Sequence, residues 1–272
     1  MNGIEFYKMS GSGNDFILID NRNGQIESND CSVFAKMVCR RRVDVGADGL
    51  IIIEDSDTAD FRWQFINADG SEADMCGNGA RCAARFAHLT GVAGPRMIFE
   101  TGAGLIQAEV DQELVRVKMT DPADLHLAEK VQVDGRTESI HRINTGVPHA
   151  VLAVEDLEKI PVESIGPLIR YHRQYAPEGV NVNFIQRRQD ETIAIRTYER
   201  GVEAETLACG TGSVAGAIIA SRLFGLDAPI RMIVRSGLPL EVSFTKNGNE
   251  YQNVYLKGDA RVIYRGFLEK TV

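Results

Sequence analysis

The sequence predicts an α+β protein built from two pseudo-symmetric copies of one fold, each a mixed β-sheet curled around a central helix, with the active site in the cleft between them. Three observations lead there: a Cys-Gly-x-Gly loop that occurs twice, landmarks that keep step with both loops, and a largely apolar helical stretch behind each. At 272 residues, 44% of them hydrophobic, the chain has the material for two modest domains with real cores.

Cys76 opens "CGNGARCAARFAHLTG" and Cys209 opens "CGTGSVAGAIIASRLFG", 133 residues apart. Each stretch closes on a glycine, Gly91 or Gly225, where a left-handed residue ends a helix. Nine residues before the cysteines stand Asn67 and Arg200, closing the strand-like runs "FRWQFIN" and "TIAIRTYER"; four before stand Glu72 and Glu205. Twenty-eight before, Asp48 leads into "GLIIIE" and Asn181 into "VNFIQ". Gly11 precedes Cys76 by 65 residues and Gly146 precedes Cys209 by 63, while Gly102 and Gly237 follow by 26 and 28. A shared order of landmarks means duplication. The copies are expected over 1–119, completed by a closing strand at 262–272, and over 120–261.

Each copy reads as strand, turn, strand, helix, strands, cysteine loop, central helix and hairpin. "DCSVFAKMVCRR" has the spacing of a helix that buries Cys31 and Cys39, with the Arg40-Arg41-Arg42 run at its end, where positive charge suits the dipole. "SVAGAIIASRLF" is apolar on nearly every side, and Ala80, Ala83, Ala84 and Ala87 share one face of the first central helix. Such helices are buried.

Charge and composition exclude several functions. Thirty basic against 38 acidic residues give a formal charge of -8, which argues against nucleic acid and anionic membrane surfaces as partners. "MNGIEFYKMS" has no basic region followed by an apolar core, and no run of about 18 apolar residues occurs, so the expected location is the cytoplasm. Five cysteines without a C-x-x-C pair suit neither a disulfide scaffold nor a zinc ribbon; reduced thiols and no metal are expected.

A helix N-terminus lowers a thiol's pKa and offers unpaired N–H groups to an anion. The Gly77-Asn78 and Gly210-Thr211 amides can present two such sets to one carboxylate. A single Cys-Gly-x-Gly would read as a tight turn into a packed helix; two matched copies suit paired chemistry better. Removing a proton α to a carboxylate requires charge to spread into that carboxylate, and aimed amides stabilise it. A thiolate on one face and a thiol on the other then give inversion, the chemistry of racemases and epimerases. Three rivals remain. A dinucleotide-binding oxidoreductase lacks its G-x-G-x-x-G spacing, a cysteine hydrolase leaves the second thiol unused, and a non-catalytic amino-acid binder would show no α-hydrogen exchange.

"GSGNDF", "NADGSEADMCGNGARC", "VNVNF", "YERGVEAETLACGTG" and "GDARVIYRGF" resemble, in order and spacing, the signatures of the diaminopimelate epimerase family, cofactor-independent amino-acid epimerases with a proline racemase-like fold. The resemblance spans the whole chain. It implies interconversion of LL- and meso-2,6-diaminopimelate, in lysine and peptidoglycan precursor biosynthesis, without cofactor and with a homodimer as candidate assembly. It also implies that Cys76 and Cys209 are the acid and base, with Gly77, Asn78, Gly210 and Thr211 holding the reacting carboxylate. His149 and Glu199 would set the thiols' protonation. Asn14, Asn67, Asn181 and Arg200 would grip the distal amino-acid centre, where the planar fork of Arg200 suits a carboxylate. Gly49 stands where some members have glutamine, Val147 replaces an asparagine, and Ser10 takes a place that is often histidine.

Overall fold

The computed structural model describes residues 3–269 and divides into two compact units, one of residues up to Val117 with those from Gly258 onward, the other Lys118–Lys257. In the first unit the strands are β1 (Ile4–Gly11), β2 (Asn14–Asp20), β3 (Gly49–Glu54), β4 (Phe61–Asn67), β5 (Arg96–Thr101), β6 (Gly104–Asp111), β7 (Leu114–Lys118) and β17 (Arg261–Leu268). The closing strand thus begins one residue before the expected 262, and the end of that expectation, 270–272, lies outside the described residues. The second unit holds β8 (Ala123–Val133), β9 (Arg136–Asn144), β10 (Pro148–Ala153), β11 (Asn181–Arg187), β12 (Ile193–Glu199), β13 (Ala204–Thr206), β14 (Ile230–Ile233), β15 (Pro239–Asn247) and β16 (Glu250–Asp259).

The duplication is written in the strand directions. From β17 through β1 to β2 the pairing is antiparallel, then β2–β3 parallel, β3–β4 antiparallel, β4–β5 parallel, and β5–β6–β7 antiparallel. The second unit repeats the pattern: β8–β9–β10 antiparallel, β10–β11 parallel, β11–β12 antiparallel, β12–β14 parallel, β14–β15–β16 antiparallel. A mixed sheet of this kind needs a crossover at each parallel pair, and the central helix supplies the second.

That helix is α2 (Gly77–Leu89) in the first unit and α4 (Gly210–Phe224) in the second. α2 packs on β1, β2, β3 and β6, and α4 on β9, β10, β11, β12, β14 and β15. One helix meets strands from both ends of its sheet only when the sheet curls round it. Small side chains allow the close approach: Ala80, Ala83, Ala84 and Ala87 are fully buried, as is the Val214–Ala220 stretch of α4. Gly91 and Gly225 carry the left-handed backbone after each helix, φ 74° and 67°.

Outside the central helices, α1 (Cys31–Val38) covers the first unit's sheet with Cys31, Ala35 and Val38, and Cys39 is buried at its cap. The helix stops at Val38 with Cys39 as its cap, so the Arg40-Arg41-Arg42 run directly follows the helix end, and Arg40 and Arg41 also meet carboxylates. Arg41 reaches two, Asp15 at 2.5 Å and Asp48 at 2.7 Å, and Arg40 pairs with Asp44 at 2.7 Å.

In the second unit α3 (Val162–Arg170) packs on β11 and β12. Its Gly166 lies flat against Tyr198: a Cβ there would sit 2.5 Å from Tyr198 Cγ. Gly166→Ala is therefore expected to lower stability by about 1–3 kcal/mol through overpacking, read as an earlier urea midpoint with unchanged slope.

Candidate active site

Both candidate thiols are helix N-caps with extended backbone, φ −143° at Cys76 and −118° at Cys209. Each sulfur accepts the N–H of the third helical residue, Gly79 or Gly212, at 3.4 Å, and the Thr211 hydroxyl lies 3.5 Å from Cys209 Sγ. Glycine is required there by space, since a Cβ at Gly212 would stand 2.4 Å from Asn183 Oδ1. Gly77-Asn78 and Gly210-Thr211 fill the first two helical positions. N–H groups of a first turn have no carbonyl partner within the helix and, with its dipole, favour an anion. Cys76 is half-buried and Cys209 buried. The other cysteines differ in kind: burial pushes the Cys39 and Cys82 thiols up to about 12 and raises Cys31 as well, so all three stay protonated at neutral pH.

In the first unit a polar chain runs beneath the Cys76 loop. Asn78 Nδ2 donates to Asn14 Oδ1 at 2.7 Å, and Asn14 Nδ2 donates to Asp48 at 2.9 Å, the carboxylate that Arg41 also grips. Asn67 donates to the Ser71 hydroxyl at 3.0 Å, and its Cα pairs with Gly49 across β3–β4. Gly49 leaves no room for a side chain: a Cβ would stand 2.6 Å from the Phe65 ring and 2.9 Å from the Ile66 carbonyl oxygen.

Arg81 was not among the residues singled out from the sequence; Asn78 and Arg85 share its helix face, so no local signal sets it apart. Its side chain is fully buried and folds back toward the helix start. It donates to Asn78 Oδ1 at 2.9 Å, Ser12 Oγ at 2.7 Å and the carbonyls of Gly77 and Asp259, both at 3.2 Å. All four acceptors are uncharged oxygens; the Asp259 carboxylate faces the guanidinium across Ser12. Burial pulls the guanidinium below its ordinary value.

In the second unit β10 and β11 set His149 beside Asn181 in parallel register. Asn181 accepts the Arg200 N–H at 2.9 Å and donates to the Pro148 carbonyl at 3.2 Å. Among the described residues the Arg200 guanidinium hydrogen-bonds the Glu178 carbonyl at 3.3 Å. Glu199 accepts from the Thr206 hydroxyl at 2.9 Å; burial raises its carboxyl above the ordinary range and that hydrogen bond offsets part of the rise. Thr211 is tied by its carbonyl to the Thr145 hydroxyl at 3.0 Å. Among the described residues no group of three or more His, Cys, Asp or Glu is arranged to hold a metal, and no helix is long and apolar enough to cross a membrane.

His149 is completely buried on β10. Burial, and next the Arg200 charge, push its imidazole down to about 3, so it is neutral at working pH. The sign follows directly. The unfolded chain takes up a proton near the ordinary 6.5 that the fold refuses until about 3, so stability falls as pH falls through that window. His149→Gln removes this contribution: from pH 6.5 to 4 its melting temperature should drop less than that of the unmodified protein. An equal drop would show that His149 is charged in the fold.

The sequence model of the family described as diaminopimelate epimerase matches residues 6–125 and 142–263. A diaminopimelate epimerase of Aquifex aeolicus is 46% identical, covering 99% of both chains, and one of Chlorobaculum tepidum is 44% identical, covering 95% of this chain and 98% of the relative. Among solved structures, a PhzF-family phenazine biosynthesis protein of Bacillus anthracis superposes with TM-score 0.75 at 16% identity, covering 99% of this chain and 100% of that one. A probable proline racemase of Agrobacterium radiobacter K84 gives 0.69 at 15% identity, covering 98% and 93%. These two share the fold. The match over nearly the full length, together with the paired cysteine caps, means that the chain belongs to the diaminopimelate epimerase family.

Proposed function

We propose that the protein interconverts LL- and meso-2,6-diaminopimelate by moving a proton at one α-carbon between the thiols of Cys76 and Cys209. The observation that carries this is the matched pair of caps, each sulfur accepting a helix N–H at 3.4 Å. A thiol held at a helix N-terminus is stabilised as thiolate, and a thiolate is a competent base near neutral pH.

One thiolate takes the α-proton, and the electron pair of the broken C–H bond spreads into the substrate carboxylate. Donors fixed in advance stabilise that charge without reorganising. The Gly77, Asn78, Gly210 and Thr211 N–H groups fill this role in the proposal. The other thiol gives its proton to the opposite face, so the centre inverts and the two sulfurs exchange protonation states. The reverse reaction starts from that state, which is why an epimerase suits a duplicated site.

Glu199, with its carboxyl raised by burial, and His149, neutral in the fold, act as polar neighbours of the reacting groups. Arg200 offers two parallel hydrogen bonds to the distal carboxylate, with Asn14, Asn67 and Asn181 around the distal amino-acid centre. Cytoplasmic lysine and peptidoglycan precursor biosynthesis, a homodimeric assembly and the lack of any nucleic acid or membrane partner complete the proposal.

Purified protein incubated with LL-diaminopimelate should yield the meso isomer, followed by NMR or chiral chromatography, without added metal or pyridoxal phosphate. Cys76→Ala and Cys209→Ala should each lose at least about 100-fold in turnover while remaining folded. Near-normal turnover by either variant would contradict a two-thiol reaction.

A further inference from the structure

The two copies differ at one buried place that strand order alone would make alike. Phe16 lies 60 residues before Cys76 and His149 lies 60 before Cys209. Above the first helical turn, a Cβ on Gly79 would meet Ile51 Cδ1 at 3.2 Å, whereas one on Gly212 would meet Asn183 Oδ1 at 2.4 Å. The first copy therefore fills this place with hydrocarbon, Phe16 and Ile51, both fully buried. The second fills it with His149 and Asn183, also fully buried. Hydrocarbon would satisfy the core, and burying two polar groups costs desolvation. A polar pair that breaks the pattern points to function.

The hydrogen bonds of Asn183 leave one arrangement. Its Nδ2 lies 3.3 Å from the Ala150 carbonyl, which can only accept, so the amide nitrogen faces β10. The same nitrogen lies 2.9 Å from His149 Nδ1. Its Oδ1, on the other side, accepts the Thr197 hydroxyl at 3.0 Å. Both N–H bonds of the amide are thus used as donors, and His149 Nδ1 must be the acceptor. A neutral imidazole carries its single proton on the other nitrogen, Nε2, which is buried and has no partner among the described residues.

We propose that Asn183, held by Thr197 and the Ala150 carbonyl, is a positioning residue that fixes His149 in the Nε2–H tautomer, so that His149 serves the reaction as a hydrogen-bond donor and not as a base. Asn183 also packs on the first turn of α4, where Gly212 donates to Cys209, so the imidazole and the thiol cap share one support. The effect on turnover rests on the epimerase reading; the tautomer does not.

The test uses protein labelled with ¹⁵N-histidine, with the His149 signals among five histidines identified by their loss in His149→Gln. Long-range proton–nitrogen correlation at neutral pH should show His149 Nε2 protonated and Nδ1 bare. In Asn183→Asp a carboxylate faces Nδ1 and should move a proton onto that nitrogen, while kcat on LL-diaminopimelate falls about 100-fold with KM nearly unchanged. Thr197→Val, which frees the amide to turn, should show a mixture of tautomers. A protonated Nδ1 in the unmodified protein overturns the proposal whether or not the variants fold. So does an Asn183→Asp protein that is less stable yet keeps the original nitrogen pattern, for then Asn183 only packs. Absence of epimerase activity with the expected nitrogen pattern would count against the proposed function and leave the tautomer standing.

Discussion

A cysteine sulfur accepting the N–H of the third residue of a buried helix is the constraint on which the rest depends. The bond fixes the sulfur at the helix start, and glycine at the third position makes room for it. At Gly212 any side chain would collide with Asn183, and at Gly79 a Cβ would crowd the end of Ile51. The helix in turn holds its place because small residues let a curled sheet close round it, Ala80, Ala83, Ala84 and Ala87 in one copy and Val214 to Ala220 in the other. Packing thus sets the position of each cap sulfur.

The duplication supplies the frame twice and the side chains around it diverge. Five residues after Cys76 stands Arg81, a buried cation bonded only to uncharged oxygens; five after Cys209 stands Val214. Against the first turn behind the second cap stands Asn183, bonded to His149, where the first copy has Ile51. One thiol therefore has a fixed charge on its own helix and the other has hydrogen-bonding groups.

Much of this was legible from residue order. The Cys-Gly-x-Gly loops, the closing glycines and the apolar helices are local signals, and their spacing exposed the duplication. Strand runs such as "GLIIIE" were visible as apolar stretches, but the alternation of parallel and antiparallel pairs was not, because a buried run looks the same in either direction. Less visible still were bonds between distant residues. Asp48 served only as a spacing landmark, yet it joins Asn14 to Arg41. The Arg40-Arg41-Arg42 run stands just past a helix end as its position suggests, but its pairing with Asp15 and Asp48 joins residues far apart in sequence. Arg81 and Asn183 lie in apolar stretches whose pattern argues for core, and only their partners, Ser12 and Asp259 or Thr197 and His149, mark them out.

Two-base transfer at one carbon is the central claim, and the fate of solvent hydrogen tests it most directly. LL-diaminopimelate is converted to a small extent in deuterium oxide, and product and recovered substrate are examined separately at the α-carbon. Two thiols acting from opposite faces should place solvent deuterium at the inverted centre of the meso product while the recovered LL isomer keeps its hydrogen. Deuterium appearing equally in the recovered substrate, or the original hydrogen carried into the product, would mean that a single base serves both faces and would contradict the account.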